Sequence, residues 1–468
     1  MRIKEEIKGS GHFWLPSAPK KKLRGTLNIS DGGKIELEVE GIFGETVEGQ
    51  YSESNDKGEV ERIVGQIEKY GSVTLDSCTY KNAPIFSDGF SKSLLYVRKV
   101  LLGIDYANRE LLFSAFDFSV EGIHEWVGLS GIRVEKPAKE KAITTGITYS
   151  PLEEISLNLN NGMKLLIKFL MIPSGSPHMR EAKITQRTYF KLVSQQERPI
   201  EDFLSVVHKV TTFLCFAIDK TVCINPITAT STISCRNLNT GESEPAPPIS
   251  LYYESLPFTK DEPKIGWYHM LFRYQDIRKR AEQIINNWLH AYDKFEPALN
   301  LYFGVTTGEL QYMDTKVLAL AQGLESYHRR TADETLMDKG DFENLREILK
   351  AQCPEDHRKW LSEKLKYGNE LSLRQRLQRI VEPLKEFIGD KSQQDKLIAS
   401  IVDTRNYLTH YDESLKAKAA SGEKLIHLYY KMEAIFQLRL LQELGFTQTE
   451  IKSVLDKSYR LRKKLEKV

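Results

Sequence analysis

The sequence predicts an α+β protein of two domains, a β-rich N-terminal one followed by an all-α helical bundle. Three observations predict it. The hydrophobic period changes once along the chain, from two residues to 3.6. A proline-rich stretch, 236–264, marks the change. The chain has 468 residues, 41% hydrophobic and 28% charged, which is long enough for two folded domains and too apolar for wholesale disorder.

Residues 24–195 read as short alternating runs broken by glycine and polar clusters. In 34–40 (KIELEVE), Ile35, Leu37 and Val39 fall on one face of a strand. Segments 72–80, 111–120 and 143–149 behave alike. The clearest hairpin joins 155–159 to 163–171 through Asn160, Asn161 and Gly162, residues that tolerate the positive φ of a tight turn. Residues 180–194 read as another long strand or strand pair. Then 201–218 breaks the pattern: Phe203, Leu204, Val207, Val210, Phe213, Leu214 and Ala217 recur at helical spacing. Strands resume at 221–234. The first domain is therefore 1–235, with one helix near 201–218.

Residues 236–264 hold Gly241, Pro245, Pro247, Pro248, Pro257 and Pro263, so few backbone donors remain for a regular element, and they read as a linker. From 265 to 468 the pattern is helical. In 371–388, Leu373, Leu377, Ile380, Val381, Leu384, Phe387 and Ile388 form one stripe; Leu425, Leu428, Tyr429, Met432, Ile435 and Phe436 form another. Ser392 with Asp395 and Thr447 with Glu450 have capping-box spacing, and Gly445 is placed to end a helix.

Several function classes are excluded early. Lys and Arg number 66 against 64 Asp and Glu, so the chain is no polycation and any nucleic-acid contact is local. The opening MRIKEEIK is charged where a signal peptide needs an apolar run, and the longest apolar runs, near 165–172 and 211–218, fall short of the roughly 18–20 residues of a membrane span. Five cysteines, odd in number and without CxxC, fit a reducing cytoplasm. Cys353 with His357 is a lone pair that reads as an ordinary thiol beside a surface histidine, so no metal is expected. No glycine-rich phosphate loop, HExxH or GxSxG occurs, and no cofactor is expected. His124-Glu125-Trp126 reads as a half-buried tryptophan closing a sheet.

One segment carries chemistry: Val402-Asp403-Thr404-Arg405-Asn406-Tyr407-Leu408-Thr409-His410-Tyr411-Asp412. Arg405 is the only Arg in the chain followed by His after four to six intervening residues. On a helix, Asn406 and His410 share a face, whereas Arg405 lies about 140° around from His410. The pair meets on one phosphate only if Arg405 curls round, the helix ends nearby, or a second copy contributes across a symmetric interface. A histidine can take a proton from a ribose 2′-OH or give one to the leaving 5′-oxygen. A guanidinium stabilises the extra charge of a phosphorane-like transition state, and an asparagine amide can orient the phosphate. The bland alternative pairs Arg405 with Asp403 or Asp412 and leaves His410 to cap a helix end.

The helical half resembles the HEPN superfamily (higher eukaryotes and prokaryotes nucleotide-binding), in the ApeA-like branch found in bacterial anti-phage defence. Residues 404–410 match its R-x4-6-H signature in the R-N-x-x-x-H form. Residues 318–330 (LALAQGLESYHRR), the Leu373/Leu377 stripe and 438–445 (LRLLQELG) are similar to that branch, and the first half, around His124-Glu125-Trp126, is similar to its N-terminal domain. The resemblance implies a metal-independent endoribonuclease, a homodimer with the motif helices facing each other, and a 2′,3′-cyclic phosphate product. It implies a role in abortive infection, with a phage-derived trigger sensed by the N-terminal domain. Arg405, Asn406 and His410 carry over as the catalytic residues. Glu325 and His328, one turn apart, are candidates to hold Arg405 or tune His410; the alternative is a structural ion pair of Glu325 with Arg329. Arg374, Arg376 and Arg379 on one helix, with Arg460 and Lys463 in a tail of seven Lys or Arg against two acids (452–468), are candidate RNA contacts, or else a solvated face. The second functional class that remains is a non-catalytic HEPN-like binder of nucleic acid or phage protein that acts through dimerisation.

Overall fold

The computed structural model describes residues 1–43, 58–82, 92–135, 146–174, 183–237, 243–245, 248–308 and 310–466. The chain divides into two compact units, Met1–Asn286 and Asn287–Val468. The first is β-rich and holds a strand barrel; the second is helical, as the change of period requires.

In the first unit, β1 (Ile7–Trp14), β2 (Leu23–Ser30), β3 (Lys34–Glu40), β4 (Glu59–Ile67), β5 (Gly71–Asn82) and β6 (Lys92–Leu102) pair antiparallel in the order β1-β2-β3-β6-β5-β4. The pairing of β4 back onto β1 closes the ring. Closure leaves no free strand edges between these six strands. Phe13 fills the interior because its neighbours are glycines. A Cβ on Gly65 would stand 2.6 Å from the Phe13 ring, and one on Gly25 3.2 Å away.

β6 does double duty. Residues Lys92–Tyr96 pair with β3, and Lys99–Leu102 pair on the same side with a later strand, β16 (Ile249–Tyr253). From there the sheet continues through β13 (Ile227–Thr230), β7 (Leu112–Phe118), β12 (Lys183–Pro199), β11 (Lys164–Ser174) and β10 (Ile155–Asn158). Two small hairpins stand apart: β8 (Ile132–Glu135) with β9 (Gly146–Tyr149), and β14 (Cys235–Asn237) with β15 (Ser243–Pro245). The expected 160–162 turn is present, with Gly162 at φ 82° and its N–H bonded to the Leu159 carbonyl at 3.0 Å. Of the strands expected at 143–149 and 180–194, residues 143–145 and 180–182 lie outside the described residues.

The helix α2 (Ile200–Ile218) packs on β7 and β12. Every residue from Val210 to Ile218 is buried, so the second half is a core helix, while the first half keeps an exposed face at Glu201, Asp202 and Ser205. Its two threonines satisfy their hydroxyls within the helix, Thr211 on the Val207 carbonyl at 2.8 Å and Thr212 on that of His208 at 3.1 Å. His124-Glu125-Trp126 lies in the single-turn helix α1 (Ile123–Val127). Trp126 does not close a sheet half-buried: it is fully buried, edge-on to Phe213 and Tyr274.

Two boundaries differ from the sequence expectation. Within 236–264, expected to be a linker, residues Ile249–Tyr253 form a central strand of the sheet. Pro245, Pro247, Pro248 and Pro257 all lie outside those five residues, so the N–H groups needed for pairing are intact. The division into units falls at 286/287, not at 235 or 265. The first turn of α4 (Ala281–Thr306) belongs to the β-rich unit: the Glu282 carboxylate accepts the Asn158 N–H at 2.8 Å, and Asn286 donates to the Asn158 carbonyl at 2.8 Å. A four-residue helix, α3 (Tyr274–Ile277), precedes it.

The helical unit continues with α5 (Met313–Thr331), α6 (Lys339–Gln352), α7 (Arg358–Leu365), α8 (Leu373–Val381), α9 (Lys385–Ile388), α10 (Lys391–His410), α11 (Glu413–Lys416), α12 (Glu423–Glu443), α13 (Gln448–Lys457) and α14 (Tyr459–Glu466). The apolar stripe expected over 371–388 is carried by two helices, α8 and α9, joined at Pro383, whose missing N–H accompanies a 3₁₀ turn at Glu382–Leu384. α5 packs against α12, α8 and α10. Gly323 permits the first of these contacts, since a Cβ there would stand 3.2 Å from the Phe436 ring. Tyr302 stacks on Phe436 at 4.9 Å, and Phe295 meets Tyr327 edge-on at 5.2 Å. α14 is tied down by a buried ion pair: Lys464 Nζ donates to Glu433 Oε1 at 2.7 Å and to Gln437 Oε1 at 3.1 Å.

Candidate functional site

Helix α10 carries the Arg-Asn…His segment, and local chemistry sets both its ends. Asp390 is the N-cap, accepting the Gln393 N–H at 2.9 Å while the Gln393 side chain accepts that of Asp390. The cap expected at Ser392 is thus two residues early, because an aspartate with glutamine three positions on builds the same reciprocal pair. The expected Thr447–Glu450 box is present. Ile398, Ile401, Thr404 and Leu408 form the buried stripe that seats α10 against α8 and α5. The fully buried Thr404 hydroxyl accepts the Ala420 N–H at 2.9 Å, which holds the returning chain against this turn.

Beside that stripe, Arg405 and Asn406 are half-buried, and Arg405 Nη1 donates to Asn406 Oδ1 at 3.2 Å. Among the described residues Arg405 makes no ion pair, with Asp403, Asp412 or any other acid, and His410 has no hydrogen-bond partner. Asp412 instead caps α11 by accepting the Ser414 N–H at 2.9 Å. The Ser414 hydroxyl and amide hold its carboxyl below the usual range, with His410 adding to the effect. The helix closes on Tyr411, whose N–H reaches the Tyr407 carbonyl at 2.6 Å. His410 is exposed in this last turn. The segment therefore presents a cation without a counter-ion, an amide beside it and an accessible imidazole on one helix end. Arg405 meets Asn406, while no hydrogen bond joins either to His410 among the described residues.

The other candidates sort by burial. Glu325 pairs with Arg329 at 3.1 Å, the structural alternative, and Arg329 also reaches Glu370. His328 is 4% exposed, and its Nδ1 lies 3.3 Å from Arg376 Nη1. Since a guanidinium only donates, Nδ1 accepts and the proton sits on Nε2, which has no partner among the described residues. Burial, then the Arg376 charge, hold the His328 pKa below its ordinary value. Arg376 itself is 4% exposed and donates to the Leu371 carbonyl at 3.0 Å. This corrects the RNA-contact expectation for Arg376: it is a packing residue between α8 and α5. Its neighbours in the buried stripe, Leu377 and Ile380, carried the signal, because Arg374 lies about 200° around the helix from it. Arg374 is exposed, and Arg379 is exposed but paired with Glu334 at 2.9 Å. Arg460 is half-buried, and Lys463 is exposed over the Tyr459 ring at 5.5 Å.

The His328–Arg376 pair has a pH consequence. Below about pH 6.5 the unfolded chain takes up a proton that folded His328 refuses, so stability falls as pH falls through this window. The charged groups acting on His328 are Arg376, Glu334, Arg379 and Arg439, all on the helical unit. Melting followed by helical circular dichroism is expected to lose more temperature between pH 6.5 and 5 in wild type than in His328→Gln, which keeps an acceptor for Arg376. Equal slopes would contradict this assignment.

Among the described residues no group of three or more His, Cys, Asp or Glu side chains gathers as a metal site, and no helix is long and apolar enough to cross a membrane. Two families match the chain: one described as ApeA N-terminal domain 1 over residues 9–288, and one described as Apea-like HEPN over residues 318–450. The first covers the β-rich unit almost entirely, and the second contains α10 with its Arg-Asn…His segment. No curated protein and no solved structure matches.

Proposed function

We propose, from the premise that this chain belongs to the ApeA family and carries an ApeA-like HEPN domain, that its helical unit cuts RNA without a metal ion. The HEPN-type domain supports a nuclease and defence role in general. The observation that carries the finer reading is the Arg405 guanidinium, half-buried without a counter-ion among the described residues and on the same helix end as an exposed His410. Arg376 and Arg329, on the helices packed against α10, each pair with an acid, whereas Arg405 does not among the described residues. The intact set Arg405, Asn406 and His410 favours an enzyme over a non-catalytic binding copy, which need not keep all three.

The chemistry follows from the three side chains. His410 removes the proton from a ribose 2′-OH, whose oxygen attacks the adjacent phosphorus, or protonates the 5′-oxygen as the P–O5′ bond breaks. The products are a 2′,3′-cyclic phosphate and a 5′-hydroxyl. Arg405 neutralises the charge that builds on the non-bridging oxygens, and Asn406 orients the phosphate or the guanidinium it already touches. The 140° between Arg405 and His410 is overcome when two copies of α10 face each other, each supplying part of a shared site. The defence reading completes this: the β-rich unit registers a phage-derived trigger, and loss of RNA stops growth of the infected cell. The test is single-stranded RNA incubated with purified protein in EDTA, with solution mass measured alongside. Cleavage by a dimer is expected. A strict monomer that cleaves at full rate would overturn the shared site.

A further inference from the structure

The geometry points to a phosphate-binding stripe on the first half of α12, formed by Lys424, His427 and Lys431, which anchors the RNA backbone beside α10. This rests on the ribonuclease reading and names residues that hold its substrate away from the reacting bond. At 100° and 1.5 Å per residue, positions 424, 427 and 431 fall within about 60° of one another and span about 10 Å of the helix. Lys424 is exposed, while His427 and Lys431 are half-buried. α12 packs on α10, and the Thr404 hydroxyl accepts the Ala420 N–H at 2.9 Å. Thr404 directly precedes Arg405, and Ala420 lies four residues ahead of Lys424. The stripe therefore begins beside the turn that carries Arg405.

From Ser414 to Met432 the sequence holds four Lys and one His against a single acid, Glu423. Lys416 is taken up by Glu413 at 3.1 Å. Lys424, His427 and Lys431 make no ion pair and no side-chain hydrogen bond among the described residues. The arginines of α8 differ: Arg379 pairs with Glu334 at 2.9 Å, and Arg376 is buried. Lys431 is the most telling of the three. Its partial burial pulls the ammonium pKa below the ordinary lysine value, with no acid acting against it. A phosphate oxygen restores the interaction that water no longer fully supplies there. The two helices joined at Thr404 thus each hold a half-buried cation, Arg405 and Lys431, with no counter-ion among the described residues. Positive groups spread along about 10 Å of helix suit a polymer with a charge at every nucleotide better than one small anion.

The test follows binding of a labelled 2′-O-methyl oligonucleotide, which has no free 2′-OH to react, by fluorescence anisotropy across a salt series. Full-length wild type, Lys424→Gln, Lys431→Gln, Lys424→Arg and a charge control on α7, Lys359→Gln, are compared, with thermal melts alongside. Lys424→Gln and Lys431→Gln are each expected to flatten the slope of log affinity against log salt by about 0.7, the value for one phosphate contact on a single strand. Lys424→Arg keeps the wild-type slope, and so does Lys359→Gln, although it removes the same charge. On cleavable RNA the two glutamine variants raise KM severalfold and leave kcat as in wild type. Lys431→Gln melts no lower than wild type, because it removes a half-buried charge that has no acid beside it. If neither glutamine variant changes the slope or KM while wild type cleaves RNA, the stripe is refuted and the ribonuclease reading stands. If Lys359→Gln flattens the slope equally, overall charge rather than this stripe holds the strand, and the proposal fails. A wild-type protein that neither binds the oligonucleotide nor cleaves RNA overturns both readings together.

Discussion

Replacing His410 with alanine is expected to lower RNA cleavage at least about 10³-fold with no change in melting temperature. The magnitude is the usual one for a general acid–base in a proton-transfer step. The unchanged stability follows from the structure: His410 is exposed at the end of α10 and has no hydrogen-bond partner among the described residues. Arg405→Ala is expected to lose about 10²–10³-fold, the scale of removing one preorganised donor to a developing oxyanion. Its stability also holds, since among the described residues the only side-chain hydrogen bond lost is the one to Asn406. Arg405→Lys will not restore the rate, because an ammonium lacks the planar fork that spans two phosphate oxygens. Cleavage assays on the three variants beside thermal melts decide the matter. An Arg405→Ala protein that melts far below wild type would show that the guanidinium serves the fold instead.

The largest stability effect is expected at α14. Glu433→Ala leaves Lys464 charged and buried, with side-chain exposures of 7% and 11% in the native pair. Breaking a buried pair from one side typically destabilises by about 3–5 kcal/mol. For a unit of this size that is a fall of roughly 10 °C or more in the melting of the helical half. The double replacement Glu433→Leu with Lys464→Met removes both charges and is expected to melt near wild type. A single mutant as stable as wild type would mean that Lys464 swings out to water and that the tail helix is not docked through it.

Much of the local structure, including the helix that carries the candidate site, was legible because its signals are local. The Arg405-Asn406…His410 spacing, the Thr447–Glu450 box and the hairpin at 160–162 each reside within a few residues. The helix at 201–218 announced itself by period, and only the all-round burial of its second half, from Val210 to Ile218, was hidden. What could not be read depends on distant partners. The barrel exists because β3 pairs with β6 and β1 with β4, pairings that no local pattern encodes. Ile249–Tyr253 was obscured by the prolines around it, although none lies inside it. Arg376 shows how charge misleads when it is taken along the sequence rather than around the helix. Three arginines within six residues looked like one basic stripe, but 100° per residue turns Arg376 inward with Leu377 and Ile380 and leaves Arg374 and Arg379 outside. Glu325 fell to its bland alternative for a similar reason: Arg329, four residues on, is always within reach on a helix.

The acid–base role of His410 on a ribose 2′-OH is the centre of this account, and one substrate tests it most directly. A short RNA with a single preferred cut and a matched strand carrying deoxyribose at that one nucleotide are incubated with the protein in EDTA, beside His410→Ala. The account predicts that the all-ribose strand is cut to a 2′,3′-cyclic phosphate and a 5′-hydroxyl. It predicts that the deoxy strand stays intact at that bond and that His410→Ala cuts neither. Cutting of the deoxy strand at the same bond, cutting that stops in EDTA, or undiminished cutting by His410→Ala would contradict it.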